Sequence, residues 1–226
     1  SNRNSDWSVS ALNFAYYIFL LLIIFLCFFT IKRNLLVSPK KIKIYFTIVI
    51  ALLLIRHLGL VSLCILESSK YIYYLKSIIY LDNIAVPLIV LAVTYVYSRA
   101  EKLKFTGSYF ILAAVLLVYS SIIYMSKVMV NVSNIYGFIM SINNEIVISM
   151  FSLILLGIML IINVLLLDRQ YVNKKGIWFI IIAIMAVMIE KVIILGGIRV
   201  FPYSVIGELI FIIIINFVLN GFKKIK

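Results

Sequence analysis

Seven long apolar stretches dominate the sequence, and they leave few folds open. They lie at about 9–31, 43–66, 72–97, 106–125, 144–167, 176–196 and 202–222. Crossing a bilayer takes about 20 mostly apolar residues in a helix, and each run is near that length. Inside lipid every backbone amide must find a partner within the protein, which leaves helices and closed barrels. A barrel would show short segments of alternating polarity, whereas these runs are continuous. The sequence therefore predicts an all-α, polytopic membrane protein: a single domain over 1–226 forming a seven-transmembrane helix bundle. Composition agrees, with 65% hydrophobic residues, 13% charged and a mean hydropathy of +1.19. A water-soluble domain of this size could not bury so much apolar surface.

The net charge of +13 is therefore read by side of the membrane, not as a nucleic-acid footprint. Lys32, Arg33, Lys40, Lys41 and Lys43 follow the first run; Arg99, Lys102 and Lys104 the third; Arg169, Lys174 and Lys175 the fifth; Lys223, Lys224 and Lys226 the last. Only Arg3, Lys70, Lys76, Lys127 and Arg199 fall in the alternate connections. Basic loops stay in the cytoplasm, so the N-terminus is expected outside and the C-terminus in the cytoplasm. The opening SNRNSDWS lacks a basic n-region and the run behind it is too long for an h-region, so no cleavable signal peptide is expected. Trp7, Tyr16, Tyr17, Tyr71, Tyr73, Tyr74, Tyr136 and Trp178 suit the aromatic belt at the membrane interfaces. The connection 126–145, SKVMVNVSNIYGFIMSINNE, is apolar enough to lie on the membrane or fold over the bundle as a lid.

Charges inside the runs are the main functional signal. LLLIRHLGL, 52–60, carries Arg56 and the sole histidine, His57, in the second run; Asp82 and Asn83 lie in the third, Glu190 and Lys191 in the sixth, Glu208 in the seventh. At about 1.5 Å per residue, Arg56 and Asp82 lie roughly 15 Å below the outer ends of their spans, and Glu190, Lys191 and Glu208 roughly 9 Å. Matching depths suggest an Arg56–Asp82 pair and a Lys191–Glu208 pair. Glu190 is turned about 100° from Lys191, leaving Arg56, His57 or a ligand as its partner. Two readings stay open. Ion pairs brace the helices, or these groups line an outward-facing pocket, since ionisable side chains in a bilayer mark function by default. Pro87 is expected to kink its helix. Asn163, Asn216 and Asn220 are expected to bond between helices.

Other chemistries lack their residues. Cys27 and Cys64 differ in depth, which argues against a disulfide. No metal-ligand spacing or phosphate loop is present, and one histidine gives no paired haem ligation. The seventh run has no lysine for a retinal Schiff base. No catalytic residue, metal or cofactor is assigned, and an enzyme is not expected.

The third run, YLKSIIYLDNIAVPLIVLAVTYVYS, and the end, PYSVIGELIFIIIINFVLNGFKK, resemble the N-terminal seven-helix sensor region of bacterial histidine kinases. Pro87, Tyr97 and Ser98 stand where that family often has a proline and a terminal tyrosine followed by a small residue. The resemblance implies a receptor in two-component signal transduction, in a bacterial plasma membrane, coupled to a cytoplasmic kinase module and acting as a homodimer. The sequence contains no kinase domain. The functional expectation is a sensor that binds a small molecule or peptide from outside, through Arg56, His57, Asp82, Asn83, Glu190, Lys191 and Glu208. The alternative is a small-solute transporter or its substrate-binding membrane subunit. Membrane lipid is a partner in either case, and nucleic acid is not.

Overall fold

The computed structural model describes residues 2–66, 69–98 and 105–222. Arg99, Lys102, Lys104, Lys223, Lys224 and Lys226 lie outside the described residues, and the side chains of Arg3, Trp7 and Lys41 outside the described side chains. The elements are α1 (Asn2–Val37), α2 (Lys40–Ile65), a 3-10 helix (Ser69–Leu75) leading into α3 (Lys76–Ile79), α4 (Asp82–Ser98), α5 (Thr106–Met125), a hairpin of β1 (Val128–Ser133) and β2 (Gly137–Ile142), α6 (Glu145–Leu166), α7 (Lys174–Leu195) and α8 (Ile206–Phe222). Among the described residues six helical stretches are long and apolar enough to cross a membrane: Ala11–Val37, Ile42–Ile65, Lys70–Ser98, Thr106–Met125, Glu145–Leu166 and Lys174–Leu195. The apolar α8 is shorter, at 17 residues.

α4 is the core helix. Its sequence, DNIAVPLIVLAVTYVYS, is apolar on every face, and 14 of its 17 residues are buried. A helix without a polar stripe belongs inside a bundle. It packs against α2, α5, α6, α7 and α8, while α1 packs between α2 and α8 and closes the bundle. Polar residues join helices at the end far from the hairpin, as expected. Asn163 of α6 donates to Thr94 of α4 at 2.9 Å, and Asn216 of α8 to Thr30 of α1 at 2.7 Å. Arg33 reaches Asn220. Tyr97 is clasped there between Gly176 and Gly221, where a Cβ at either glycine would run into its ring or hydroxyl. Its hydroxyl donates to the carbonyl of Val218.

Several expectations are corrected. The fold is not purely helical, because residues 128–142 form an antiparallel hairpin paired from Val128↔Ile142 to Ser133↔Gly137. Ser133 Oγ accepts from the amides of Ile135 and Tyr136, and Gly137 takes φ +73°, which closes the turn without a Cβ penalty. The hairpin folds over one end of the bundle. Tyr203 Oη lies 2.9 Å from the Met140 carbonyl and 2.7 Å from its amide, and Tyr80 Oη 3.3 Å from the same carbonyl. The third apolar run is not one helix: it breaks at Tyr80–Leu81 between α3 and α4. The seventh helix starts at Ile206, not 202, and the first runs on to Val37. Tyr16 is not in an interfacial belt. It is buried beneath Tyr136 and Phe201, with ring centroids 5.2 and 5.5 Å away.

Candidate functional site

Beneath the hairpin, the charges singled out in the sequence converge from four helices. Arg56 of α2 is 2% exposed. Its Nε lies 3.2 Å from Asp82 Oδ1 at the start of α4, so that pair forms as the depths suggested. The same nitrogen donates to the Ile79 carbonyl at 3.0 Å. The helix break explains this contact. Asn83 N bonds the Tyr80 carbonyl instead of continuing the α-helical ladder, which leaves Ile79 O free for the guanidinium. Arg56 Nη1 donates to the Ser204 carbonyl at 3.0 Å and to Glu208.

The Lys191–Glu208 pair does not form. Lys191 Nζ lies 2.9 Å from Asp82 Oδ2 and 2.9 Å from Asn83 Oδ1. Glu208, fully buried, meets Arg56 and His57 instead, with His57 Nε2 2.9 Å from its Oε2. The cause is rotational. Equal depth leaves the direction around each helix axis open, and α8 turns the first-turn Glu208 toward α2 while Lys191 faces α4. Asp82 thus bridges two cations, and Arg56 bridges two carboxylates.

Among the described residues Glu190 bonds neither a cation nor His57. Its Oε1 accepts from the amides of Val205 and Ile206, each at 3.1 Å, and its Oε2 from Gly207. A carboxylate from α7 thereby satisfies the orphan amides opening α8 and sits at the positive end of its dipole. Gly207 permits the approach, since a Cβ there would lie 2.9 Å from the Ala186 carbonyl.

A cavity of about 30 Å³ adjoins the network, lined by Arg56, Tyr80, Asp82, Asn83, Glu145, Lys191, Tyr203 and Ser204, among others. That is enough to hold ordered water. Glu145 closes one side and pairs with Arg199 at 3.0 Å. Tyr80, Tyr203 and Ser204 are site residues that the sequence reading does not include. Ser204 carries one usable signal, its position four residues before Glu208; its Oγ lies 3.1 Å from Glu208 Oε1 and 3.3 Å from Asp82 Oδ2. Among the described residues no group of three His, Cys, Asp or Glu side chains is placed to hold a metal. No family model matches the chain, and no curated protein or solved structure matches it.

Proposed function

We propose that the chain is the seven-helix receptor or sensor region of a plasma-membrane protein, with its N-terminus and hairpin outside and its C-terminus in the cytoplasm. The alternation of basic residues supports this orientation. At about 1.5 Å per residue, the 17 residues of α8 reach roughly 26 Å, which supports a seventh span.

One observation carries the functional reading. A buried ionic network joins α2, α4, α7 and the start of α8 directly under a hairpin held by two tyrosines of the same cavity wall. Anything that displaces Tyr80 or Tyr203 shifts both the lid and the residues next to Asp82 and Glu208. The ligand is small and polar, because the cavity is small and lined largely by polar and charged side chains, and a peptide would have to lift the hairpin first. Binding matters to signalling if it favours one arrangement of these helices. The change passes along α4 and α8, whose far ends are locked together by Tyr97, to a cytoplasmic partner. By the resemblance of the third and last runs, that partner is a kinase module and the receptor a homodimer.

The helix break at 80–81 favours a second reading. Transporters build substrate sites from interrupted helices with freed backbone groups. The assay separates the two. The purified protein is screened with small polar solutes for thermal stabilisation, a solute at 100 times its Kd adding about 2.7 kcal/mol. A stabilising solute is then tested for accumulation in proteoliposomes. Stabilisation that Arg56→Ala abolishes, without accumulation, is the expected result. Accumulation would select the transporter, and no stabilising solute would leave the charges as braces.

A further inference from the structure

A second cavity, of about 290 Å³, lies at the end of the bundle far from the hairpin, between the end of α4, the start of α7 and the end of α8. Two layers line it. Asn173 and Lys175 at the start of α7 and Asn220 of α8 form a polar layer, Phe179 and Phe217 an apolar one, and Tyr97 of α4 completes the wall. Phe179 lies four residues beyond Lys175, and Phe217 three before Asn220, so the rings sit roughly 5 Å further toward the middle of the bilayer. Phe217 is 60% exposed, so the apolar layer opens toward lipid tails. The polar layer has donors to spare. Asn173 Oδ1 accepts from the Gly176 amide at 3.2 Å, and Asn220 Oδ1 from Arg33. Among the described residues neither Nδ2 group has an acceptor, and Lys175 Nζ has none either. We infer that this cavity binds the headgroup phosphate of an anionic phospholipid, with an acyl chain laid along Phe179 and Phe217.

The charges argue for an anion independently. Arg33 of α1 joins this end of the bundle through Asn220 and through the Asn216 carbonyl, 3.1 Å from its Nη1. Among the described residues neither Arg33 nor Lys175 has a carboxylate partner. The helix dipoles do not supply the missing charge. α7 begins here and α8 ends here, so their half-charges, about +0.5 and −0.5, offset each other. The two formal charges therefore set the sign of the site, and a phosphodiester brings the charge and the acceptor oxygens that they and the amide donors lack. Basic pockets between membrane helices take anionic lipid headgroups in this way. A free phosphate would use the donors but leave the groove along Phe179 and Phe217 unfilled, which favours the lipid. A bound lipid would brace α4, α7 and α8 where Tyr97 meets Gly176 and Gly221. The assignment rests on this cavity alone, and holds equally for a receptor or a transporter.

Trp178, 55% exposed and three residues past Lys175, reports on the site. The full chain carrying Trp7→Phe, which leaves Trp178 as its only tryptophan, is reconstituted in phosphatidylcholine vesicles. These contain brominated phosphatidylglycerol or, separately, brominated phosphatidylcholine. Bromine quenches a tryptophan it touches, so the two quenching curves together give the lipid preference. Phosphatidylglycerol should be preferred, and Lys175→Gln should lower that preference about fivefold, the worth of one basic residue beside an anionic lipid. Lys174→Gln removes the same charge from a neighbour outside the cavity and should change it less than about twofold. Both lysines are exposed, so neither change threatens the fold. The absence of a preference would overturn the site, and so would equal losses in the two variants, which would reveal only a diffuse basic surface. Inorganic phosphate, compared with chloride at equal ionic strength, should leave the quenching unchanged. Displacement by it would make the occupant a free phosphate and overturn the lipid. Failure of the ligand screen above would leave these outcomes untouched, so the two proposals fall separately.

Discussion

Removing the charge of Asp82 is the sharpest probe of the buried network. Asp82 lies 3.2 Å from Arg56 Nε and 2.9 Å from Lys191 Nζ. At an effective dielectric constant of about 20, these contacts correspond to about 5 and about 6 kcal/mol of gross attraction. Asp82→Asn removes both while keeping the shape. Arg56 retains Glu208, but Lys191 loses its one anionic contact among the described residues and keeps Asn83. Orphaning a buried charge costs about 3–5 kcal/mol. Charged and polar groups find some partners even when a membrane protein unfolds in detergent, so the lower end, about 3 kcal/mol, is expected. Lys191→Met should cost less, because Asp82 still has Arg56. The double variant orphans no charge, and its loss should fall about 2 kcal/mol short of the sum of the single losses. The assay is denaturant titration in mixed micelles, followed by tryptophan fluorescence. Additivity to within about 0.5 kcal/mol would refute the reasoning, since it would mean that Asp82 and Lys191 do not share one site.

Three further outcomes follow from other contacts. Gly221→Ala drives a Cβ into the Tyr97 hydroxyl and should cost about 1–3 kcal/mol; Tyr97→Phe should recover most of that in the double variant, and a cycle without coupling would remove the clasp. Glu190→Ala strips three amides of their acceptor at the start of α8 and should cost about 1–2 kcal/mol, with Glu190→Gln milder; equal stability of all three proteins by thermal unfolding would show that Glu190 is not the cap. Gly137→Ala strains a residue at φ +73° whose Cβ would lie 3.1 Å from the Leu63 carbonyl; the hairpin should loosen there, speeding maleimide labelling of Cys64 while the buried Cys27 stays unlabelled, and an unchanged Cys64 rate would deny that the hairpin shields this end of α2.

What could be read from the sequence follows from which signals are one-dimensional. Run length alone located the helices, because a bilayer sets the length it needs. Depth is also one-dimensional, and it found the Arg56–Asp82 pair. Direction around a helix axis is not, so depth pairs Lys191 with Glu208 although it turns to Asp82 and Asn83. The break at Tyr80–Leu81 has no glycine or proline to announce it. It is held by a tertiary contact, the Arg56 guanidinium on the Ile79 carbonyl. The hairpin did leave a mark, the alternation VMVNVS and GFIMSI on either side of NIY. Short apolar segments are ambiguous between surface helix and strand until something anchors them, and here the anchors are Tyr80 and Tyr203, distant in sequence. Tyr203 and Ser204 lie in an irregular stretch before α8 that is held by contacts distant in sequence, Met140 on Tyr203 and Arg56 on the Ser204 carbonyl.

The spacing of the network along the chain bears on how the protein is made. Arg56 and Glu208 are 152 residues apart. At about 5–20 residues per second, a ribosome takes roughly 8–30 s to cover that distance. During this interval α2 has been synthesised with an arginine in its apolar middle while Glu208 does not yet exist. Asp82 emerges early enough to shelter Arg56, and this gives the third run its place directly behind the second. Lys191 and Glu208 complete the set only when the last two helices arrive. The insertion machinery therefore has to retain an α2–α4 pair that lacks its Lys191 and Glu208 contacts until α7 and α8 have been made, and a chain truncated before α8 should be a substrate for membrane quality control.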